Sequence, residues 1–160
     1  MNKNNFEANR CFLCAEQHLN STPDKVFPLL CPNREYEWIE TWQCDLIYSD
    51  SGFNELDCIF RTAFPGDGEE IWITDRMELN KIIQFIRVSN HRAIRYSINL
   101  FDNGDGTTTA RWEQVVTALN KEGIQYVESC SIPEFEKRIK GLERMLNHYL
   151  NTGEMYRTTN

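Results

Sequence analysis

The sequence predicts an α+β fold in which a curved, seven-stranded antiparallel sheet wraps around one long C-terminal helix, with two short helices after the first strand. Three observations carry this. Strand-like runs follow one another through the middle of the chain, and the turns between them are short enough to favour antiparallel neighbours. Near the C-terminus an apolar stripe recurs at helical spacing. Between the first strand and the later ones the hydrophobic period changes from that of a strand to that of a helix.

Residues 9–19, NRCFLCAEQHL, alternate loosely without Gly or Pro and read as the first strand. Ser21 or Thr22 caps a helix with Pro23 and Asp24 in its first turn; Val26, Phe27, Leu29 and Leu30 form its buried side, and Pro28 and Pro32 keep it short. A second short helix or turn spans about 32–38. Six strands follow at 42–49, 56–64, 70–79, 81–89, 92–101 and 107–119, separated by turn chemistry such as SDSG, PGDGE, SNH and DNGDG. Residues 121–130 add a helical turn. Ser131 then caps the long helix, Pro133 and Glu134 suit its first turn, and Gly153 lies just past its end. Its stripe is Phe135, Ile139, Leu142, Leu146, Tyr149 and Leu150; its opposite side is polar, so it should lie on the sheet rather than pass through a core. The tail from Glu154 reads as frayed.

At 160 residues the chain has the length of one domain, taken as 1–160 with a core of about 9–152. Nine Phe, six Tyr and four Trp promise an aromatic interior. A net charge of -7 argues against a nucleic-acid partner, which needs a cationic surface. Arg87, His91, Arg92 and Arg95 cluster in sequence but read as a solvated strand edge. No apolar run approaches a membrane span, and MNKNNFEANR has no apolar segment of signal length, so a cytoplasmic protein without stable membrane insertion is expected. Its six cysteines are then expected to stay reduced.

Cys11 and Cys14 form a C-x-x-C without a second pair at zinc spacing, and DNGDG at 102–106 lacks the oxygen ligands of a calcium loop. No metal is therefore expected. No phosphate loop or dinucleotide fingerprint appears, and no cofactor is expected. Glu16 and His18 share a face of the first strand and read as a rim or surface pair.

With its element order, STPDKVFPLLCP as the strand-to-helix entry, the acidic-aromatic EYEWIETW segment and the closing KRIKGLERMLNHYL helix, the chain resembles the START-like (SRPBCC) superfamily over about residues 9–152. This superfamily includes birch-pollen allergens, lipid-transfer domains and polyketide cyclases. The resemblance implies a helix-grip fold with a hydrophobic cavity between sheet and helix, but no particular chemistry.

Alternation assigns inner faces: Cys58, Phe60, Thr62 and Phe64 on one strand, then Ile94, Tyr96, Ile98 and Leu100, then Ala110, Trp112, Gln114 and Val116. For the strand at 70–79, hydrophobicity favours Ile71, Ile73, Asp75 and Met77 inside. The resemblance favours Trp72, and with it Thr74 and Arg76, and that set is adopted. With Leu142, Met145, Leu146 and Tyr149 of the helix these residues would line the cavity, Thr62, Thr74, Arg76 and Gln114 acting as polar handles. In PNREYEWIETWQCD, Tyr36 or Trp38 would close the cavity and Trp42 would anchor a strand start, while Arg34 and Glu35 would pair near the surface. The expected ligand set is thus Trp38, Phe60, Thr62, Trp72, Thr74, Arg76, Tyr96, Trp112, Gln114, Leu142, Leu146 and Tyr149.

The leading expectation is the binding of a hydrophobic small molecule: a lipid, an aromatic or a polyketide-like compound. The alternative is an enzyme, cyclase- or aromatase-like or a hydrolase, using Arg76, Thr74, Glu35, or Glu16 with His18. A third reading is a protein-interaction module.

Overall fold

A computed structural model describes residues 6–158 of the chain, so the first five residues of the N-terminal segment discussed above lie outside it. In chain order the elements are β1 (Arg10–Leu19), α1 (Pro23–Val26), a 3₁₀ turn (Phe27–Leu30), α2 (Pro32–Glu35) and β2 (Asp45–Tyr48). Then come β3 (Ile59–Phe64), β4 (Gly68–Glu78), β5 (Ile82–Val88), β6 (Arg92–Asp102), β7 (Thr108–Ala118), α3 (Lys121–Ser129) and α4 (Ile132–Thr152). The strands form one antiparallel sheet of order β1-β7-β6-β5-β4-β3-β2, so only β1 departs from sequence order, returning to pair with β7. The α+β arrangement expected from the sequence is the one observed.

The termini of α4 follow the capping chemistry. The Ser131 hydroxyl accepts a hydrogen bond from Glu134 N at 3.4 Å, and Gly153 closes the helix in the left-handed region at φ 73°. Of the stripe, Phe135, Ile139 and Leu146 are buried. The tail does not fray as expected. Tyr156 packs edge-on against His148, and Arg157 pairs with Glu40 at 3.3 Å.

β1 is an edge strand, and α4 covers that edge. Glu143 accepts from His18 N at 2.7 Å, while Asn147 accepts from Asn20 N and donates to His18 O, each at 2.8 Å. Backbone groups that would otherwise template another strand are thereby satisfied. Deeper in, Gln17 donates to Ile139 O at 3.0 Å and accepts from Trp112 Nε1 at 2.8 Å, tying helix and sheet together through one buried amide.

Strand β4 carries a bulge. Thr74 opposes Phe85, but Arg76 opposes Gln84, so Asp75 is an extra residue that reverses which side chains face inward beyond it. Glu70, Trp72 and Thr74, ahead of the bulge, are buried, whereas Arg76 beyond it lies on the convex face beside Glu78. The hydrophobic residues on the other side of β4 have their own company: Ile73 is flanked by Ile59 and Ile86, a partly buried isoleucine row outside the sheet.

Helix α3 is seated against the β5–β6 turn through Gly123, where an added Cβ would lie 2.0 Å from His91 O. Gly123→Ala should therefore cost about 3 kcal/mol through a clash with backbone. Gly141→Ala, in open space on α4, should be neutral or stabilising by about 0.5–1 kcal/mol. Thermal or urea unfolding of the two variants measures the contrast.

Candidate functional site

Between the concave sheet and α4 lies a cavity of about 350 Å³. Its sheet wall is aromatic: Phe60, Trp72, Phe85, Tyr96 and Trp112 line it, joined by Phe64 of β3 and Trp42 of the segment after α2. The rings pack in sequence across the strands. Phe60 stacks on Trp72 at 5.2 Å between centroids, Trp72 meets Tyr96 at 5.8 Å, and Tyr96 meets Trp112 at 5.7 Å. Leu142 and Met145 of α4 form the opposite wall.

Of the residues named from the sequence, Phe60, Trp72, Tyr96, Trp112, Gln114 and Leu142 line this cavity. So do Phe64, Ile98 and Met145 from the inner faces assigned by alternation and the helix, whereas Trp38, Thr62, Thr74, Arg76, Leu146 and Tyr149 lie elsewhere. Thr62 and Thr74 are buried structural partners: Thr62 Oγ1 accepts from Trp72 Nε1 at 2.9 Å, and Thr74 donates to Asn54 Oδ1 at 2.6 Å. Leu146 is core. Tyr149 donates to Glu37 at the rim of α4. Arg76 is turned outward by the Asp75 bulge, its side chain 54% exposed, and takes no part in the cavity.

The segment PNREYEWIETWQCD is held by its own polar edges. Trp38 is fully buried and donates to Leu29 O at 2.8 Å, so it is a core anchor rather than a lid. Tyr36 is exposed, and its hydroxyl bonds the backbone of Cys44. Trp42 takes the wall position, its Nε1 donating to Pro32 O at 2.8 Å. The expected Arg34–Glu35 pair is replaced by Arg34–Glu37 at 2.8 Å, because residues three apart share a helix face.

Glu35 is thereby left facing inward. It is 9% exposed and lines the cavity, and its carboxyl has no hydrogen-bond partner among the described residues. Burial raises its pKa to about 8, so it is protonated at neutral pH. Nearby Tyr96 is also pushed up by burial, with Arg87 and Arg138 pulling partly the other way.

A buried charge quartet adjoins the aromatic wall. Glu70, fully buried, accepts from Arg87 Nε at 3.1 Å and from Arg92 Nη2 at 2.9 Å, and Asp67 pairs with Arg92 at 3.3 Å. Arg87 stacks over Trp72 at 4.2 Å and Arg92 over Tyr126 at 3.8 Å. The solvated edge expected for this basic cluster is therefore corrected: Arg87 and Arg92 are 4% exposed and paired. The missed signal was parity. Glu70 shares a strand face with Trp72, Arg87 shares one with Phe85, and the two faces meet across β4 and β5.

Glu16 and His18 are exposed; Glu16 pairs with Arg111 at 2.9 Å on the outer side of β1 and β7. Cys11 and Cys14 fall on opposite faces of β1. Among the described residues no three His, Cys, Asp or Glu side chains converge as metal ligands. No helix there is long and apolar enough to cross a membrane.

An antiparallel sheet curved around a long helix over an aromatic cavity is the helix-grip fold. Protein Mll3558 from Rhizobium loti shares it at a TM-score of 0.64 and 13% identity, over 89% of this chain and 99% of that one. Norcoclaurine synthase from Thalictrum flavum, a point mutant in complex with a transition-state analogue, aligns at 0.64 and 9% identity over 91% and 99% of the two chains. DynU16, from the dynemicin biosynthetic locus, aligns at 0.62 and 16% identity over 89% of this chain but only 48% of its own length. No family model and no curated protein matches the sequence.

Two predictions follow from the buried charges. Glu70→Gln removes the anion shared by two buried arginines and should cost about 3–5 kcal/mol in urea unfolding, whereas Glu16→Gln at the exposed pair should cost under about 1 kcal/mol. For Glu35, the unfolded carboxyl loses its proton near the ordinary 4.5 and the folded one near 8. Stability from this group is thus highest below the lower value, falls as pH rises between the two, and levels above. Glu35→Gln should gain on the wild type across that window, with no widening of the gap beyond it, in denaturation curves taken at several pH values.

Proposed function

We propose that the protein binds a hydrophobic, ring-containing small molecule in the cavity between sheet and α4. The observation that carries this is the aromatic wall: Phe60, Trp72, Tyr96 and Trp112 leave about 350 Å³ unfilled, whereas an ordinary core closes such space with its own side chains. The volume lies at the small end of the range for ligand pockets, and the few polar groups in an apolar lining suit orientation of a guest. Apolar burial would drive binding. At about 0.3 kcal/mol per non-hydrogen atom, a guest of about 20 such atoms would reach a Kd in the tens of micromolar.

Titration with the uncharged fluorophore N-phenyl-1-naphthylamine tests this. Saturable fluorescence enhancement of that strength is expected, lost in Met145→Trp, which fills the cavity from α4. Equal binding by that variant, or none by the wild type, would sink the proposal.

A second reading, an enzyme of the cyclase or aromatase kind, is favoured by Glu35. A carboxyl buried beside an apolar cavity and titrating near neutrality is poised for general acid–base work, and the scaffold of the similar norcoclaurine synthase holds a transition-state analogue. Turnover of poly-β-ketone substrates with a pH dependence centred near 8 that vanishes in Glu35→Gln would support it; turnover unaltered by that substitution would exclude Glu35 from the chemistry.

A further inference from the structure

The cavity wall is electrically lopsided. Arg87, Arg92, Glu70 and Asp67 are mutually paired, two cations against two anions, so the quartet is neutral as a unit. Arg87 turns Nε and Nη2 toward Glu70, and among the described residues its Nη1 has no hydrogen-bond partner. Arg138 is the cation in excess. It stands solvent-exposed on α4 at the edge of the cavity, beside Phe135, and no carboxylate among the described residues pairs with it.

Glu35 also lines the cavity, nine-tenths buried and unpartnered. No cation offsets its burial, which sets it apart from both arginines, while the Tyr96 phenol lies within electrostatic reach of Arg87, Arg138 and Glu35 alike. The lining therefore offers guanidinium N–H groups of Arg138 and Arg87 that no protein anion takes, and a carboxylic acid without an acceptor.

Granting the cavity as a ligand site, as proposed above, we infer that its guest is an aromatic monoanion: an acidic group against Arg138 and the free edge of Arg87, and a carbonyl-type oxygen accepting from the unpartnered carboxyl of Glu35. The net single positive charge of the arginine end sets the charge of the guest. A second negative charge would meet Asp67 and Glu70 without a further cation to pair with it.

The polarity of Glu35 also gives the site a pH dependence. Facing it are Tyr96 on β6 and Cys44 ahead of β2, both pushed upward by burial, with Arg87 on β5, Arg138 on α4 and Asp67 in the β3–β4 turn farther along the wall. Arg34 on its own helix is taken by Glu37. As pH rises through about 8, Glu35 changes from a donor to an anion, and an oxygen acceptor is repelled.

Anthraquinone-2-sulfonate and its uncharged sulfonamide test this by isothermal titration calorimetry, since the sulfonate keeps its charge throughout and the quinone oxygens are neutral acceptors. At about pH 6.5 the sulfonate should bind about tenfold more tightly, as a charge-assisted contact warrants, and Arg138→Gln should erase that preference. Between about pH 6.5 and pH 9 the wild-type affinity should fall about tenfold, in step with the protonated fraction. Glu35→Gln should keep the lower-pH affinity and lose the pH dependence; the outward-facing Arg95→Gln should change nothing. Equal affinity for the two probes, a preference that survives Arg138→Gln, or a wild-type affinity indifferent to pH would overturn the inference. If N-phenyl-1-naphthylamine binds and the sulfonate does not, the inference falls and the binding function stands. If neither binds, both fall.

Discussion

The two bonds of the Gln17 amide set the distance between helix and sheet. One end donates to the backbone of Ile139 on α4 and the other accepts from the indole of Trp112 on β7, with the side chain wholly buried. An apolar residue in its place would leave a buried carbonyl and an indole N–H to find other partners, at a cost of about 1–3 kcal/mol for each group left unmade. The bond also orients Trp112. With its indole N–H held toward β1, the ring forms the end of the aromatic row that lines the cavity. Helix placement and cavity wall therefore depend on the same amide. The helix is secured along β1 by Gln17, Glu143 and Asn147, whereas on the far side of the sheet the gap is left for the segment after α2 to close.

Helix α2, just ahead of that segment, adds a carboxyl to the cavity lining. Short helices cannot turn every residue outward, and α2 with the turn that follows it has to place Arg34, Glu35 and Glu37. Arg34 and Glu37 satisfy each other on the rim; Glu35 is then directed inward. At the other side of the sheet the bulge at Asp75 has the opposite consequence, removing Arg76 from the interior while Glu70 and Trp72 stay within it. The outward turn of Arg76 on β4 and the inward turn of Glu35 on α2 thus both follow from short features of the backbone.

Strand positions were legible because a period of two survives in Phe60–Thr62–Phe64, Ile94–Tyr96–Ile98 and Ala110–Trp112–Gln114, and the turns between runs carry Gly, Asp and Asn where the chain reverses. The final helix was legible from its caps and stripe. What alternation could not give was β4 beyond Thr74, since a bulge adds a residue without a compositional mark, and the partly buried isoleucine row at Ile59, Ile73 and Ile86 imitates a core on the convex face. Arg87 was obscured for a related reason. A cation in a basic cluster reads as solvated unless the carboxylate opposite it is known, and Glu70 lies seventeen residues away across a strand pair. Cavity lining is harder still, because burial alone does not separate Trp38, a core anchor, from Trp42, a wall residue four positions later.

Neutralising the arginines by Glu70 and Asp67 does more than tolerate them in the interior. Two unpaired guanidinium groups beside an apolar cavity would carry a prohibitive desolvation cost, and two fully saturated ones would present nothing to a guest. The observed arrangement lies between these limits: the carboxylates take the Nε and Nη2 edges of Arg87, and its flat face covers Trp72. Its charge is held in place before any ligand arrives, so little side-chain ordering is left for binding to supply. Glu35 reaches the same end by a different route. Without a cation it is held in the neutral form by burial alone, and it keeps a hydrogen available at the cavity wall. The interior thus presents two fixed polar groups, one cationic and one neutral, beside an aromatic surface.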